Sequence, residues 1–316
     1  MIGRPDVSVI IVNWNTKDLV LRCIHSIIET KGTYEQEIIV VDNGSCDGST
    51  DSIESEYPEV FVIRNEKNLG FAKANNIGIK KSIGKYISLV NSDVQVLDRT
   101  IGYLFDYMDK NPNVGIVGPK ILSPDMTLQD SCRRYPSLWT KLCETFALNR
   151  LYPVSFIFHG EHMKDFLHDR IVKVDALAGC FMMIRGTALE EVGLFDERYF
   201  IYSEETDLCK RFQKAGWDIL YLPEVSVVHN HGASTAKDPV RFAVEQQCSL
   251  LKYWHKHHSF PSQLCLYVLL ILHHAIRYSS GYLMRAVVPA MKDRAVQRME
   301  QNRECLKALF QVQKSS

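Results

Sequence analysis

Two acidic motifs supply residue types that could do chemistry, and the first is Asn91-Ser92-Asp93. This polar triplet follows the apolar residues Leu89 and Val90, so it stands where a buried strand would end. A carboxylate at a strand end is suited to holding a divalent cation on a diphosphate, because Mg²⁺ binds through few carboxylates plus phosphate oxygens. Taken alone, the triplet could equally be a polar cap on the strand.

The second motif is Glu204-Glu205-Thr206-Asp207, which opens a predicted helix. A carboxylate here could remove a proton from an attacking hydroxyl. Because successive helical residues point about 100° apart, only one of Glu204 and Glu205 can face an acceptor. The alternative is that these acids merely favour the helix macrodipole. Together the two motifs suggest an enzyme that uses a sugar nucleotide.

Alternating strands and helices are predicted to position both motifs. The β-branched run 7–12 is typical of a buried strand, and Thr16 is an N-cap for the helix that follows. Further strands are predicted over 37–41, 60–64 and 86–90, and further helices over 51–56 and 72–82. This order predicts an α/β fold, a doubly wound and mainly parallel sheet, in which ligands bind beyond the carboxyl ends of the strands.

The second half of the chain is predicted less regularly. Residues 119–174 indicate an insertion or lid on the acceptor side, followed by a strand over 174–184 that is interrupted at 178–180. A helix over 204–215 ends at Gly216, and two strands follow over 218–222 and 225–229. We therefore expect one domain over 1–250 and a C-terminal helical extension over 251–316.

Charge is unevenly spread along a chain whose net formal charge is zero. From Lys252 onward there are ten Lys/Arg and three Asp/Glu, so this part carries +7 and the preceding part −7. The asymmetry favours a basic tail that faces an acidic partner, for which a membrane surface is the natural candidate. A solvated helical tail is the alternative, and no nucleic-acid partner is expected.

The tail also contains the apolar run 264–272, which is too short to span a bilayer. Nearby tyrosines and arginines suit the membrane interface, so a monotopic segment is expected, with a buried helix pair as the alternative. Beyond Pro289, apolar residues at a spacing of three to four indicate helix pairing, which a homo-oligomer could use.

The nine cysteines occur singly, without a CxxC pair, which argues against a structural zinc site and favours a reducing compartment. The first residues enter a strand almost at once and lack the layout of a signal peptide. The catalytic part is therefore expected in the cytoplasm, peripheral to the inner face of the cell membrane.

Eight short segments occur in order between Val7 and about Thr235: Val9–Asn15, Val41–Ser45, Asn68–Phe71, Asn75–Gly78, Asn91–Asp93, Gly193–Asp196, Glu204–Leu208 and His229–Ser234. In this order and spacing they resemble family 2 glycosyltransferases of the GT-A fold. Within that family the chain is similar to bacterial rhamnosyltransferases that build cell-surface polysaccharide. The resemblance covers about three quarters of the chain.

The resemblance implies a site for Mg²⁺ or Mn²⁺. The triplet matches the family's DxD position with Asn91 in place of the first acid, so Asp93 would be the full anionic ligand. Asn91 could bind through its carbonyl oxygen or through water. His229 would complete the site, and His231 is a competing ligand.

The resemblance also implies a donor site and a base. Asp42 would read the nucleotide base, although it could simply form a turn. The other residues expected to line the donor site are Asn13, Asn15, Asn68, Gly70, Asn76, Ser92 and Asp93. Glu205 would be the catalytic base beside Glu204, while Asp207 and Arg211 would form a supporting pair four residues apart.

The expected function is inverting transfer of a sugar, by resemblance rhamnose, from a dTDP- or UDP-sugar to a saccharide or lipid-linked saccharide. A nucleotidyltransferase is one alternative, but a Gly-rich basic loop after the first strand is missing. A non-catalytic scaffold is the other: Asn91 favours it, whereas Asp93, Glu205 and His229 together argue against it.

Overall fold

The computed structural model describes residues 4–152, 155, 157, 158, 160–230, 238–287 and 292–312. These residues fall into two compact units. The sheet unit comprises the described residues of 1–134, 166–200 and 204–234, and the helical unit those of 135–165, 201–203 and 235–316.

The strands, in chain order, are β1 Val7–Asn13, β2 Gln36–Asp42, β3 Phe61–Arg64, β4 Tyr86–Asn91, β5 Val94–Val96, β6 Val114–Leu122, β7 Cys132–Arg133, β8 Val172–Lys173, β9 Ala176–Leu177, β10 Phe181–Arg185 and β11 Asp218–His229. The helices are α1 Lys17–Glu29, α2 Ser49–Glu56, α3 Phe71–Lys81, α4 Thr100–Lys110, α5 Leu138–Thr145, α6 Leu148–Leu151, α7 Gly186–Val192, α8 Glu204–Lys214, α9 Pro239–His257, α10 Phe260–Val287 and α11 Lys292–Val312, with a 3₁₀ turn over Gly160–His162.

The main sheet has the order β3-β2-β1-β4-β10-β6-β11-β5, with β8 beside β11. Strands β3, β2, β1 and β4 are parallel, as the alternation of strands and helices predicts. β10 runs antiparallel to both neighbours, so the sheet is mixed and the expected α/β fold class is confirmed. Because β1 lies between β2 and β4, six of its seven residues are buried, which explains its continuous apolar run.

The register brings three predicted site residues to one edge of this sheet. Asn13 pairs with Asp42 across β1 and β2, and Val12 pairs with Asn91 across β1 and β4. The carboxyl ends of β1, β2 and β4 are therefore level, which is where ligands bind in sheets of this kind.

Several predicted elements differ from the structure. The strands expected over 218–222 and 225–229 are one strand, β11, with an irregularity between Leu222 and Ser226. Pro223 lies within it and has no N–H to donate to a neighbouring strand. Thr16 occupies the N-cap position of α1, but its hydroxyl makes no cap hydrogen bond and instead donates to Asn13 Oδ1.

The helical unit contains α5, α6, α9, α10 and α11. Helix α10 packs against α11, α9 and α5, so the predicted pairing of C-terminal helices is present within the chain. The described residues of this unit include 238–250 and most of 135–165, whereas the sequence suggested a division at residue 250. No helix in the described parts of the chain is long and apolar enough to cross a membrane.

Candidate active site

The ends of β1 and β2 are joined by a buried hydrogen-bond network around Asn13. Its Nδ2 donates to Asp42 Oδ1 at 2.8 Å and to Ser49 Oγ at 2.8 Å. Its Oδ1 accepts from Thr16 Oγ1 at 2.8 Å, and that hydroxyl also lies 2.8 Å from Ser92 Oγ. Three predicted donor-site residues, Asn13, Asp42 and Ser92, therefore belong to one network.

Asn15 fixes the neighbouring loop. Its φ is 53°, in the left-handed region that Asn tolerates better than most residues. Its backbone N–H donates to Ser45 Oγ at 2.8 Å, and its side-chain oxygen accepts from the Cys46 N–H at 2.8 Å. The loop after β1 is thus tied to the loop after β2, beside Asp42.

The loop before α3 is organised by Asn43, a residue of the motif Val41–Ser45. Its buried amide donates to Asn68 Oδ1 at 3.2 Å and to the Gly70 carbonyl at 3.1 Å. Asn68 Oδ1 also accepts from the Gly70 N–H at 2.9 Å. An Asn in a polar turn sequence is common, so its type and position gave no separate signal for this role.

Gly70 and Asn76 hold the segment 193–200 against α3. A Cβ built on Gly70, whose φ is +87°, would lie 2.5 Å from the Phe200 carbonyl oxygen. The Asn76 amide donates to the Phe195 carbonyl at 2.9 Å and accepts from the Phe195 N–H at 3.0 Å. The structure thus directs the Asn76 amide to the protein backbone, away from the strand-end network.

Asp93 and His229 are brought together from residues far apart in the chain. Asp93 Oδ1 lies 3.4 Å from His229 Nε2, and the Asn230 N–H donates to the Asp93 carbonyl at 3.0 Å. Burial lowers the pKa of His229, but hydrogen bonds to Asp93 and Cys180 raise it, to about 10. His231, the competing ligand, lies outside the described residues.

Gln129 orients His229, although it belongs to none of the motifs in the sequence. Its Nε2 donates to the His229 carbonyl at 2.8 Å, so its Oε1, 3.0 Å from His229 Nδ1, is the acceptor for the ring. A neutral His229 would then carry its lone pair on Nε2, the atom that faces Asp93. One hundred residues separate Gln129 from His229, so no local pattern in the sequence could reveal the pair.

The Asp93–His229 pair fits the donor set of a divalent cation. Two ligands at right angles around a cation with bonds of about 2.1 Å would lie about 3 Å apart, close to the observed separation. Among the described residues no three His, Cys, Asp or Glu side chains cluster as a complete metal site. Such a site would therefore rely on diphosphate and water oxygens for its remaining ligands.

Glu204 and Glu205 begin α8, and both are oriented inward. Each carboxyl has a buried Oε2 without a hydrogen-bond partner in the described structure. Burial raises the pKa of Glu204 well above its ordinary value, and the neighbouring Glu205 raises it further. Burial also raises the pKa of Glu205, against backbone hydrogen bonds and the Arg133 charge, which lower it.

The linker between β9 and β10 connects the two parts of the site. A Cβ built on Gly179 would lie 3.5 Å from Glu205 Cβ, and the next residue, Cys180, is close enough to His229 to raise its pKa. Arg133, which comes from β7 beside β9, is close enough to lower the pKa of Glu205. The interruption predicted at 178–180 is therefore where the glutamates and the Asp93–His229 pair approach each other.

Asp207 and Arg211 support α8, as predicted. Arg211 Nε donates to the fully buried Asp207 at 2.9 Å. The same guanidinium donates to the carbonyls of Val192, Gly193 and Leu194 at 2.7–3.2 Å. Helix α8 is thereby fixed to the segment that Asn76 and Gly70 hold from the other side.

Comparison with known proteins connects this geometry to a family. The family model described as glycosyl transferase family 2 matches residues 8–190. The N-acetylglucosaminyl-diphospho-decaprenol L-rhamnosyltransferase of Mycobacterium tuberculosis is 32% identical over 213 residues, which are 64% of this chain and 69% of that protein.

Two solved structures share the fold. The mannosyltransferase of Pyrobaculum calidifontis, solved with GDP-Man and Mn²⁺, aligns with a TM-score of 0.57 and 14% identity, over 98% of this chain and 88% of that one. GalNAc-T7, solved with UDP, GalNAc and Mn²⁺, aligns with a TM-score of 0.53 and 19% identity, over 72% of this chain and 44% of that one.

Proposed function

The chain belongs to glycosyl transferase family 2, and on that premise we propose that it performs an inverting, metal-dependent sugar transfer. The donor would be a dTDP- or UDP-sugar, with rhamnose as the sugar. The acceptor would be a hydroxyl of a saccharide, carried on a lipid as in the relative from Mycobacterium tuberculosis. The product would enter a cell-surface polysaccharide.

The observation that carries this proposal is the approach of Glu205 to the Asp93–His229 pair through residues 179 and 180. A transferase of this kind needs one group that removes the proton from the acceptor hydroxyl. It also needs a separate group of residues that holds the leaving diphosphate. The structure supports such a division, because the glutamates begin α8 while Asp93 follows the parallel strand β4.

The strand-end network would hold the nucleoside. Asp42 accepts from Asn13 through one oxygen and from the Ser45 N–H through the other, so its carboxylate is fixed in one orientation. A carboxylate fixed in this way can accept a hydrogen bond from N3–H of uracil or thymine. Asn15, Asn68 and Ser92 would complete the walls, while Gly70 and Asn76 position the segment 193–200.

Asp93 and His229 would hold Mg²⁺ or Mn²⁺ on the diphosphate, with Asn91 contributing directly or through water. A divalent cation bound there would offset the negative charge of the leaving group. Mn²⁺ accompanies the nucleotide in the two solved structures compared above, which supports a divalent metal without choosing between the two ions.

Glu205 would act as the general base in a single displacement. Its carboxylate takes the proton of the acceptor hydroxyl while that oxygen bonds to the anomeric carbon and the bond to the diphosphate breaks. One attack from the opposite face inverts the anomeric centre and needs no covalent intermediate. Burial brings the pKa of Glu205 closer to the working pH, which suits a group that must both be ionised and bind a proton.

A lipid-linked acceptor would place the enzyme at a membrane. We propose a cytoplasmic enzyme that is peripheral to the inner face of the membrane and reaches it through the C-terminal region. Self-association through the C-terminal helices is the alternative use of that region.

The test is a transfer assay with dTDP-rhamnose, UDP-rhamnose and a panel of UDP-hexoses. The acceptor is N-acetylglucosamine diphosphate on a short, water-soluble lipid, and the product is identified by mass spectrometry and by the anomeric configuration in its NMR spectrum. We expect rhamnosyl transfer with inversion. Retention of configuration would contradict the mechanism, and nucleotide binding without any transfer would favour a scaffold.

A further inference from the structure

The helical unit exposes an unusual share of the large apolar side chains. Of the 21 large hydrophobic residues that are exposed in the described structure, fifteen belong to this unit. Eight of the fifteen lie on α10, and five on or between α5 and residue 157. Scattered apolar residues are normal on a protein surface, but a contiguous set marks an interaction surface.

The exposed residues of α10 form one continuous face. The apolar members are Phe260, Leu264, Val268, Leu272, Ile276, Tyr278, Tyr282 and Leu283, which are between 37% and 74% exposed. The remaining exposed positions from 260 to 283 are Pro261, Cys265, Ala275 and Ser279. At 100° per residue these twelve positions occupy an arc of about 160°, and none is charged. We call this surface the α10 face.

His274 and Arg277 of α10 point the other way. His274 is buried against Asn302 of α11 at 2.9 Å, and the Arg277 guanidinium donates to the Glu144 carbonyl of α5 at 2.7 Å. The opposite side of the helix is therefore committed to packing within the unit. The α10 face exposes on the order of several hundred Å² of apolar surface, as large as the biggest patches of ordinary monomers.

Charge indicates which partner this face would meet. The residues of the helical unit include fifteen Lys/Arg and eight Asp/Glu, so its formal charge is +7. A second copy would bring an equal positive charge to the same surface, whereas anionic lipid headgroups are complementary to it. Exposed Arg285, Lys292 and Arg294 follow the α10 face directly in the chain.

We propose that the α10 face docks on a bilayer containing anionic lipid. Its aliphatic residues enter the boundary between headgroups and acyl chains, its two tyrosines lie at headgroup level, and the basic residues meet the phosphates. This inference rests on the proposed function in one respect: a lipid-linked acceptor gives the enzyme a reason to bind a membrane. It names the surface by which the enzyme would reach a lipid-linked acceptor.

The test is flotation of the full chain with vesicles of phosphatidylcholine, with and without about 30% phosphatidylglycerol. We expect binding to the anionic vesicles that weakens when salt rises from about 0.05 M to about 0.5 M. The variant L264Q/V268Q/L272Q should bind at least tenfold more weakly. The matched control F61Q/I83Q/M126Q, which changes exposed apolar residues of the sheet unit, should bind like the wild type.

A second variant keeps the test decisive if the first does not fold, as judged by circular dichroism. R285Q/K292Q/R294Q should lose most of the preference for anionic vesicles. Equal binding by all variants, or none by the wild type, would overturn the proposal. A dimer that α10 substitutions dissociate, without vesicle binding, would assign the face to a second copy instead. Transfer to the water-soluble acceptor tests the proposed function separately, and α10 variants should retain it.

Discussion

At the scale of single residues, the site depends on two adjacent buried carboxyl groups with different expected uses. Both have a pKa raised by burial, but only Glu205 has Arg133 nearby to favour its ionised form. The pKa of Glu204 is instead raised further by the neighbouring Glu205, so Glu204 stays protonated to higher pH. This difference supports the assignment of Glu205 as the base.

Replacement of Glu205 by Gln should abolish proton transfer while keeping the shape of the site. We expect kcat to fall by roughly 10²- to 10⁴-fold, the usual contribution of a general base. Nucleotide affinity measured by calorimetry should change little. The control is Glu190→Gln, an exposed glutamate on α7. A variant that keeps more than about a tenth of the wild-type rate would contradict this role.

Much of the donor site could be proposed from residue types at strand ends, because a buried run that stops at Asn or Asp identifies the edge of the sheet. Asn13, Asp42 and Asp93 are candidates of this kind, and their role stays a prediction. Gln129 and Asn43 are not found in this way, because their contacts join loops that the sequence does not show to be neighbours. Asn76 was grouped with the donor residues, whereas its amide is bound to the Phe195 backbone.

At the scale of elements, the close approach of Gly70 to Phe200 determines how α3 meets the segment 193–200. The comparison is Gly48, whose φ of +75° and ψ of 15° are left-handed helical and whose built Cβ meets nothing within 4 Å, whereas Gly70 has a ψ of 172°. Gly48→Ala should therefore cost only the backbone strain, about 1 kcal/mol. Gly70→Ala adds an overlap with backbone and should cost at least about 2–3 kcal/mol.

The measurement for both glycine variants is urea unfolding, with nucleotide affinity recorded in parallel. Only Gly70→Ala should weaken nucleotide binding, because its Cβ would overlap Phe200 beside the loop of Asn68 and Asn43, whereas a Cβ at Gly48 meets nothing within 4 Å. Equal losses of stability in the two variants would show that the segment 193–200 moves aside without cost.

His273, on α10 and in contact with α5, should make the stability of the helical unit sensitive to acid. His273 Nε2 accepts from Arg277 Nε at 2.7 Å, so protonation would break that bond. Burial, together with the charges of Arg277, His274, Lys141 and Arg298, lowers the pKa of His273 to about 3. Because the folded pKa lies below the ordinary 6.5, its contribution to stability is complete above pH 6.5 and is lost as the pH falls toward 3.

We therefore expect the stability of His273→Gln to depend less on pH than that of the wild type. Between pH 7.5 and pH 5 the wild type should lose up to about 2 kcal/mol more stability than this variant. Thermal unfolding at both pH values measures this difference in stability. The control is His25→Gln, which replaces an exposed histidine on α1. Parallel losses in all three proteins would contradict the burial of a neutral His273.

The elements that the sequence predicted best are those with one dominant pattern. β1 and β2 are rich in β-branched residues, β4 is a buried run that stops at Asn91, and α8 is a periodic helix with acids at its start. The direction of β10 could not be predicted, since an antiparallel neighbour in a sheet of parallel strands has the same apolar pattern. The segment 94–118, which contains β5, α4 and most of β6, has a weaker local signal, because Arg99 at the N-cap of α4 makes no side-chain cap hydrogen bond.

At the scale of the whole molecule, the chain consists of an acidic sheet unit and a basic helical unit. The boundary expected between residues 250 and 251 does not separate these two units. Residues 135–165 belong with the C-terminal helices, although in the chain they come between strands of the sheet. One side of helix α10 is packed against α11, as the alternative of a buried helix pair predicts. The other side is exposed and apolar, and its docking on a membrane stays a prediction.

The most direct test of the central claim is calorimetric titration with dTDP and UDP, each with and without Mn²⁺ or Mg²⁺. We expect binding that requires the metal in the wild type and in Asp98→Ala, which removes an exposed carboxylate five residues away. Asp93→Ala should lose the metal-dependent part, at least tenfold in affinity. Nucleotide binding that is unchanged in Asp93→Ala, or absent with every metal, would contradict a donor site at the carboxyl ends of β1, β2 and β4.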